Sequence, residues 1–441
     1  MSLKLGSLTT IIISTPETAK IVLQTHDLAF SSRTIPTAAQ SLDHDKFSMA
    51  WLPVDTQWRK LRKISREQMF SVPRLDASQG LRKEKLQKLC EYVNQCCETG
   101  RAVDIGRAAF TTSLNLMSAT LFSVEFAQYN SDSSQEMRDV VWGVMKGIGS
   151  PNLADYFPVL KRIDPQGILR ETTVCFEKLF AIFDRIIDDK LKSSRGEKSD
   201  LLEALIHLHQ RNELSRNDIN HLLLDLFVAG TDTTSGTMEW AMTELLRNPE
   251  KLSRVRNEIT YIIGENKQVQ ESDIPRLPYL QAVVKETFRL HPAAPFLVPH
   301  KANVDVEING YIVPKNAQVL VNVWASGRDS GIWPNADSFL PERFLDHNYD
   351  KIDFRGNDFE LIPFGTGRRI CPGLPLAYRM VHLMLATLVG NFGWELEENV
   401  KPQELDMNEM FGLTLLKAIP LKIVPPNCVV RNFEPHMHVI Y

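Results

Sequence analysis

Hydrophobic and polar positions recur with two different periods along the chain, and these divide it into long helical stretches and a small strand-rich insertion. Thr10 to Ile13 is a short β-branched run and predicts a strand. Ser14-Thr15-Pro16-Glu17 then offers a cap residue, a first-turn proline and an acid near the positive end, so a helix should start there. From Trp58 to about Phe180 the spacing is mostly helical, with breaks at Gly100, Pro151 and Pro158. The polar stretch Lys190 to Lys198 predicts an exposed loop.

The clearest helix opens at Ser215, which forms a capping-box pattern with Asp218. It runs without proline to Arg247 and stops at Asn248-Pro249. At 1.5 Å per residue its roughly 30 residues span about 45 Å, enough to cross a whole domain. A second helix is predicted from Pro278 to Leu290, ending at His291-Pro292. Beyond it the period changes. Val304, Val306 and Ile308 alternate with polar residues, Asn309-Gly310 supplies a hairpin turn, and Tyr311 to Val323 continues as strand. Asp350 to Pro363 reads as loop, and a last helix is expected from about Leu376 to Leu388, after Pro372-Gly373. The expected fold class is mainly α with a minor β region, in one connected body.

Composition narrows the function classes. The 441 residues are 43% hydrophobic and 24% charged, which excludes wholesale disorder, collagen and coiled coil. A net charge of −4 has no basic excess for nucleic acid. Six cysteines, with no CxxC pair, are too sparse for a disulfide scaffold or a structural zinc site. No window of about 18 uninterrupted apolar residues predicts a membrane span, and the N-terminus carries no secretory apolar region.

Chemistry concentrates in five places. In Phe364-Gly365-Thr366-Gly367-Arg368-Arg369-Ile370-Cys371-Pro372-Gly373, glycines let backbone approach a flat ligand, and the cysteine precedes a helix start beside Arg369. That setting favours a thiolate, either metal ligand or nucleophile; the plainer alternative is a buried free cysteine in a turn. Glu286 and Arg289, at i and i+3, share a helix face and can pair, as many solvated helix pairs do. Ala229-Gly230-Thr231-Asp232-Thr233-Thr234 puts a glycine, an acid and threonines mid-helix, where Thr233 can bond the Ala229 carbonyl. Such a disfavoured stretch suggests either a functional cavity or a close helix crossing. Trp58 and Arg62 share a face at i and i+4, ready for an anionic group. Pro341-Glu342-Arg343-Phe344 follows Trp333-Pro334.

Taken together and in this order, these segments make the chain resemble the cytochrome P-450 superfamily of haem-thiolate monooxygenases, from Leu3 to about Pro426. Phe364, Gly367, Arg369, Cys371 and Gly373 match every fixed position of the family's F-x-x-G-x-R-x-C-x-G pattern. Glu286 and Arg289 match its E-x-x-R pair, with Arg343 the usual third partner; Trp58 and Arg62 match W-x-x-x-R; Ala229, Gly230, Asp232 and Thr233 match A-G-x-D-T. The chain is most similar to plant microsomal members, the geraniol 8-hydroxylase and ferruginol synthase group.

The resemblance implies the fold of that family, a long central helix over haem b, with Cys371 as axial ligand of the iron. Thr233 and Asp232 would handle protons. Arg62, Arg369 and His300, with Trp58, would meet the haem carboxylates, and Phe364, Gly367 and Gly373 would shape the cysteine loop. Glu286, Arg289 and Arg343 would form a structural ionic network. Phe227, Val228, Ala229, Ala294, Phe296, Leu297, Phe411, Leu413 and Leu415 would line an apolar pocket, or else pack the core. Electrons would come from NADPH, not bound directly, through a flavoprotein reductase docking near Arg59, Lys60, Lys63, Arg66 and Arg368. The implied activity inserts one atom of O2 into a lipophilic substrate, a mono- or diterpenoid of plant secondary metabolism, at the cytosolic face of the endoplasmic reticulum.

Two departures accompany this. Plant microsomal relatives begin with a membrane anchor, a hinge and a first helix; about 60 residues of that layout are missing before Leu3, given the ~20-residue span of an anchor. Residues 1–426 are therefore expected to be one N-terminally truncated haem domain, and 427–441 an atypical tail. Two other readings follow: a truncated haem-binding protein without turnover, and an oxygen-independent hydroperoxide-rearranging relative, which tends to lose the acid–threonine pair that Asp232 and Thr233 retain.

Overall fold

The computed structural model describes residues 1–192, 200–265, 267–396 and 400–425. The tail after Pro426 and most of the loop expected at Lys190 to Lys198 lie outside the described residues. Lys190 to Lys192 instead close the helix Ile168–Lys192, whose apolar face at Phe176, Leu179, Phe183 and Ile187 keeps it regular to that point.

The central helix is Arg216–Arg247, as its caps predict. Asp218 N donates to Ser215 Oγ at 3.0 Å, and Ser215 N donates back to Asp218 Oδ2 at 2.8 Å. Two orphan amides are thus satisfied at its start. Its widest contact is with the helix Ile105–Phe122. They cross at Gly230, where an added Cβ would lie 2.7 Å from Met117 Sδ. For that glycine the close-crossing reading is the one realised.

The helix Pro278–Leu290 has its predicted bounds. The last helix, Leu374–Asn391, is longer than expected at both ends. It continues through Gly390 because that glycine lets the backbone rest on Ile259, 3.2 Å from where a Cβ would be.

The expected strand from Tyr311 to Val323 divides in two. Tyr311–Val313 pairs antiparallel with Val306–Ile308 around Asn309-Gly310. Pro314 then lacks an amide to continue the ladder, and Asn316 takes a left-handed φ of 66°. The chain turns, and Gln318–Val321 joins a different sheet, parallel to Leu8–Ile13. Val323 already belongs to a short helix, Val323–Ser326, and Val304 is exposed outside any strand. The larger sheet runs Ser2–Leu5, Leu8–Ile13, Gln318–Val321, His300–Lys301, Ser32–Arg33.

Two apolar cores flank the central helix. One gathers its N-terminal half, Ile219 to Val228, with Phe110, Phe122, Phe176 and Phe183; the other gathers Met238 to Leu246 with the helices Pro278–Leu290 and Leu374–Asn391. The polar stretch Gly230 to Thr237 lies between them. Among the described residues no helix is long and apolar enough to cross a membrane.

Candidate active site

The cysteine loop owes its shape to Gly365 and Gly367, with φ of +67° and +65°. A side chain at Gly367 would also press on the Leu23 carbonyl, 2.8 Å away. Cys371 N donates to Phe364 O at 2.9 Å and closes the loop. Phe364 meets Phe288 edge-on, ring centres 5.1 Å apart.

Cys371 Sγ receives the backbone N–H groups of Gly373 and Leu374 at the start of the helix Leu374–Asn391. Burial pushes its thiol up, and those amides and the Arg62 guanidinium oppose it without prevailing. This corrects the expected part of Arg369, which is not the guanidinium acting on the sulfur. Arg369 is drawn away by carbonyls, Nε to Ser31 O at 2.9 Å and Nη1 to Met49 O at 3.4 Å, and Nη2 also bonds Leu52 O. A half-buried cysteine with donors aligned on its sulfur becomes anionic when a cation binds it, since a coordinating thiol is deprotonated outright.

Beside the loop stands a group of cations. Arg62 lies one turn after Trp58 on the helix Thr56–Ser65, capped by the Asp55 carboxylate on Trp58 N at 2.8 Å. The guanidinium carbons of Arg369 and Arg62 lie 5.0 Å and 5.9 Å from the Trp58 ring centre. Antiparallel pairing sets Arg33 directly opposite His300. Arg33 was missed by sequence reasoning; it carries no motif, and only a strand pairing across more than half the chain brings it here.

Burial pulls Arg33 well below its usual range, and the charges of Arg369 and Arg62 pull it further. Burial, with the charges of Arg33 and Arg369, holds His300 neutral, while its Nδ1 lies 2.7 Å from the Phe30 carbonyl. Arg33 Nη1 bonds Val298 O at 2.7 Å, but Arg33 Nε is buried without a partner. Three clustered guanidinium groups, with Arg62 depressing Arg369 and both depressing Arg33, and an orphaned N–H among them, form a site built for anionic groups. A haem, with two carboxylates and an iron for the sulfur, fits this donor set.

The central helix is accessible at one stretch. Ala229 is exposed and Thr233 half-buried in a helix otherwise almost wholly buried, so this face looks into a groove. Thr233 Oγ1 donates to Ala229 O at 2.8 Å, the bond its spacing predicts. Thr231, Ser235 and Thr237 bond back one turn in the same way.

Asp232 faces elsewhere. It is fully buried, and its carboxylate accepts the Thr414 hydroxyl at 2.6 Å. Burial pushes it up to about 6, against the Thr414 bond and the charge of Arg138. Asp232 and Thr233 therefore have different partners, as adjacent helix positions must.

The expected pocket residues separate. Ala294, Phe296 and Leu413 keep accessible surface, and Phe296 meets the exposed Phe411 ring at 6.5 Å. Leu297 turns its side chain towards the cysteine loop at a left-handed φ of 54°. Val228 and Leu415 are nearly covered. Phe227 is a correction: it has no exposed surface and packs among Phe122, Phe126 and Phe183, so it serves the core.

The ionic network is buried, not a solvated face. Arg289 clasps Glu286 with Nε and Nη2 at 2.8 Å and 2.7 Å, and Arg343 Nε reaches both Glu286 oxygens at 3.1 Å. The spare donors bond carbonyls of Gly327, Ala336, Ser338 and Pro334. On the surface, Arg59, Lys63 and Arg66 are exposed on one segment. Lys60 donates to Glu213 O, and Arg368 pairs with Asp27 at 2.6 Å.

A family model described as Cytochrome P-450 matches residues 1–422. The chain is 59% identical over 431 residues to Cytochrome P-450 76T24 of Catharanthus roseus, covering 96% of this chain and 86% of that protein. It is 52% identical to a geraniol 8-hydroxylase of Catharanthus roseus (96% and 86% covered) and 50% identical to a ferruginol synthase of Isodon rubescens (96% and 87%). A zebra fish cytochrome P-450 solved with progesterone superimposes with a TM-score of 0.79 at 24% identity, covering 96% of each chain, a likeness of fold.

Proposed function

The chain belongs to the cytochrome P-450 family of haem-thiolate monooxygenases, and from that premise we propose that it hydroxylates a mono- or diterpenoid. The observation that carries this is that Ala229 and Thr233 keep accessible surface on an otherwise almost wholly buried helix, as do Ala294, Phe296 and Leu413 elsewhere in the fold, with one hydroxyl and no charged side chain among these positions. Such a lining suits a lipophile held by shape. Relatives named geraniol 8-hydroxylase and ferruginol synthase, at about half identity over nearly the whole chain, support the terpenoid class.

In this reading the haem supplies dioxygen activation and the insertion of one oxygen atom into a C–H bond. Cys371 Sγ holds the iron, with the Gly373 and Leu374 amides supporting its negative charge. Arg33, Arg62 and Arg369 receive the two haem carboxylates, with Trp58 as their platform. Thr233 holds a proton at Oγ1, where the groove gives access to it. Asp232, pushed up to about 6 by burial, is bonded to Thr414 and not to Thr233, so in this reading it anchors the helix beside Thr233 and Thr233 alone meets the groove. The exposed Arg59, Lys63 and Arg66 form the docking face for an acidic NADPH-dependent flavoprotein reductase, and the protein works at the endoplasmic reticulum membrane.

Reconstitution with such a reductase and NADPH tests the proposal. Hydroxylated product from geraniol or an abietane diterpene is the expected result. Haem that binds but yields no product from either would overturn the terpenoid assignment.

A further inference from the structure

The turn between the strands Glu409–Phe411 and Leu415–Lys417 is gripped from three sides. Leu413 N donates to Met145 O at 3.0 Å, and Leu415 N donates to Ala293 O at 2.9 Å. Gly412 lies against Trp142, 3.0 Å from ring to notional Cβ. The two hydrogen bonds are backbone contacts that many sequences could make. One link depends on a particular side chain, the Thr414 hydroxyl on Asp232, across 182 residues of chain.

Thr414 and Asp232 are 1% and 2% exposed, so water cannot replace that bond. The hydroxyl is the carboxylate's one hydrogen-bond donor among the described residues, with Arg138 acting only at longer range. A buried carboxylate without a donor is costly, so the pair must stay together. Asp232 stands three residues after Ala229 and next to Thr233. The bond therefore ties the turn, and Leu413 with it, to the central helix beside its accessible positions.

We propose that Thr414 is a positioning residue: through Asp232 it registers the Leu413 turn on the central helix and so orients the substrate in the groove. This rests on the reading that the groove takes a lipophile. It adds a determinant of regiochemistry that touches neither iron ligand nor haem carboxylates.

The test uses haem-loaded protein with three variants: T414V, which removes the donor at constant shape; T414S, which keeps it; and T414V/D232L, which removes both partners and leaves no unpaired charge. Geraniol is the substrate probe and imidazole the iron-binding control. T414V and the double variant should weaken geraniol, read by the spin-state shift, by about fivefold or more. Imidazole affinity should stay unchanged in both. T414V should also alter the ratio of oxidised carbons, and T414S should restore both affinity and ratio. Wild-type affinity and product ratio in T414V, or no rescue by T414S, would overturn the proposal. If T414V does not fold, binding by the double variant decides.

Should wild-type protein not respond to geraniol, the monoterpenoid assignment falls, and Thr414 is judged by hydrogen exchange at the Leu413 and Leu415 amides. Faster exchange in T414V, restored in T414S, supports the positioning role; equal rates refute it.

Discussion

Phe364 and Phe288 stand edge to face, 5.1 Å between ring centres, and this contact ties the loop that presents Cys371 to the helix that carries Glu286 and Arg289. Phe354 closes the group, 5.1 Å from Phe288 and 5.8 Å from Phe364. The sulfur is therefore held by an aromatic joint backed by a buried ionic network. Edge-on aromatic pairs add about 0.5–1.5 kcal/mol beyond their burial, so the joint stabilises the loop as well as orienting it.

Cys371→Ala should keep the fold and lose the thiolate-type absorption of the reduced carbon monoxide complex. A spectrum identical to wild type would remove Cys371 as the ligand.

Glu286→Ala leaves two buried guanidinium groups without their carboxylate. Breaking a buried pair on one side costs about 3–5 kcal/mol, so the urea midpoint should fall sharply or folded protein should not accumulate. A shift under 1 kcal/mol would show the network to be dispensable.

Arg33→Leu should weaken haem retention while the apoprotein stays folded. Losing a charge-assisted hydrogen bond of about 1.5–3 kcal/mol corresponds to roughly 10- to 100-fold faster transfer of haem to an acceptor such as apomyoglobin. Arg368→Ala, at an exposed residue paired with Asp27, should match wild type in the same assay.

Asp232 binds its proton more tightly folded than unfolded, at about 6 against an ordinary 3.8. Between those values the folded state holds a proton that the unfolded state lacks, so this group makes stability fall as pH rises through that window. Asp232→Asn should abolish that slope. The variant should gain up to about 3 kcal/mol over wild type above pH 6 and lose that advantage below about pH 4, read by denaturant titration across pH. A constant difference at all pH values would show that Asp232 does not titrate in this window.

Phe227 and Ala229 separate core from groove. Phe227→Ala should cost about 3–5 kcal/mol of stability. Ala229→Leu should leave stability near wild type, because Ala229 faces the groove, yet abolish the spin-state response to lipophiles. The reverse pattern would exchange the two assignments.

Local signals made much of this legible. The capping box at Ser215, Pro249 after Arg247 and Pro278 at the second helix set element bounds within a residue, because caps and prolines act over one turn. The glycines of the cysteine loop were legible for the same reason: their backbone angles are a property of the loop itself. The division of the strand after Val313 was less visible, since Pro314 and Asn316 decide it only in combination with the sheet that waits for Gln318.

From sequence alone came the long helix, the sulfur ahead of a helix start, and the acid and hydroxyls in mid-helix, each a feature of neighbouring residues. Tertiary structure decided which of them meet. Arg33 enters the cationic group through strand pairing with a partner 267 positions away, Phe227 is withdrawn into the core by three aromatic neighbours, and Asp232 turns to Thr414 rather than to Thr233. Burial and long-range pairing depend on how the chain closes in space, which no local pattern encodes.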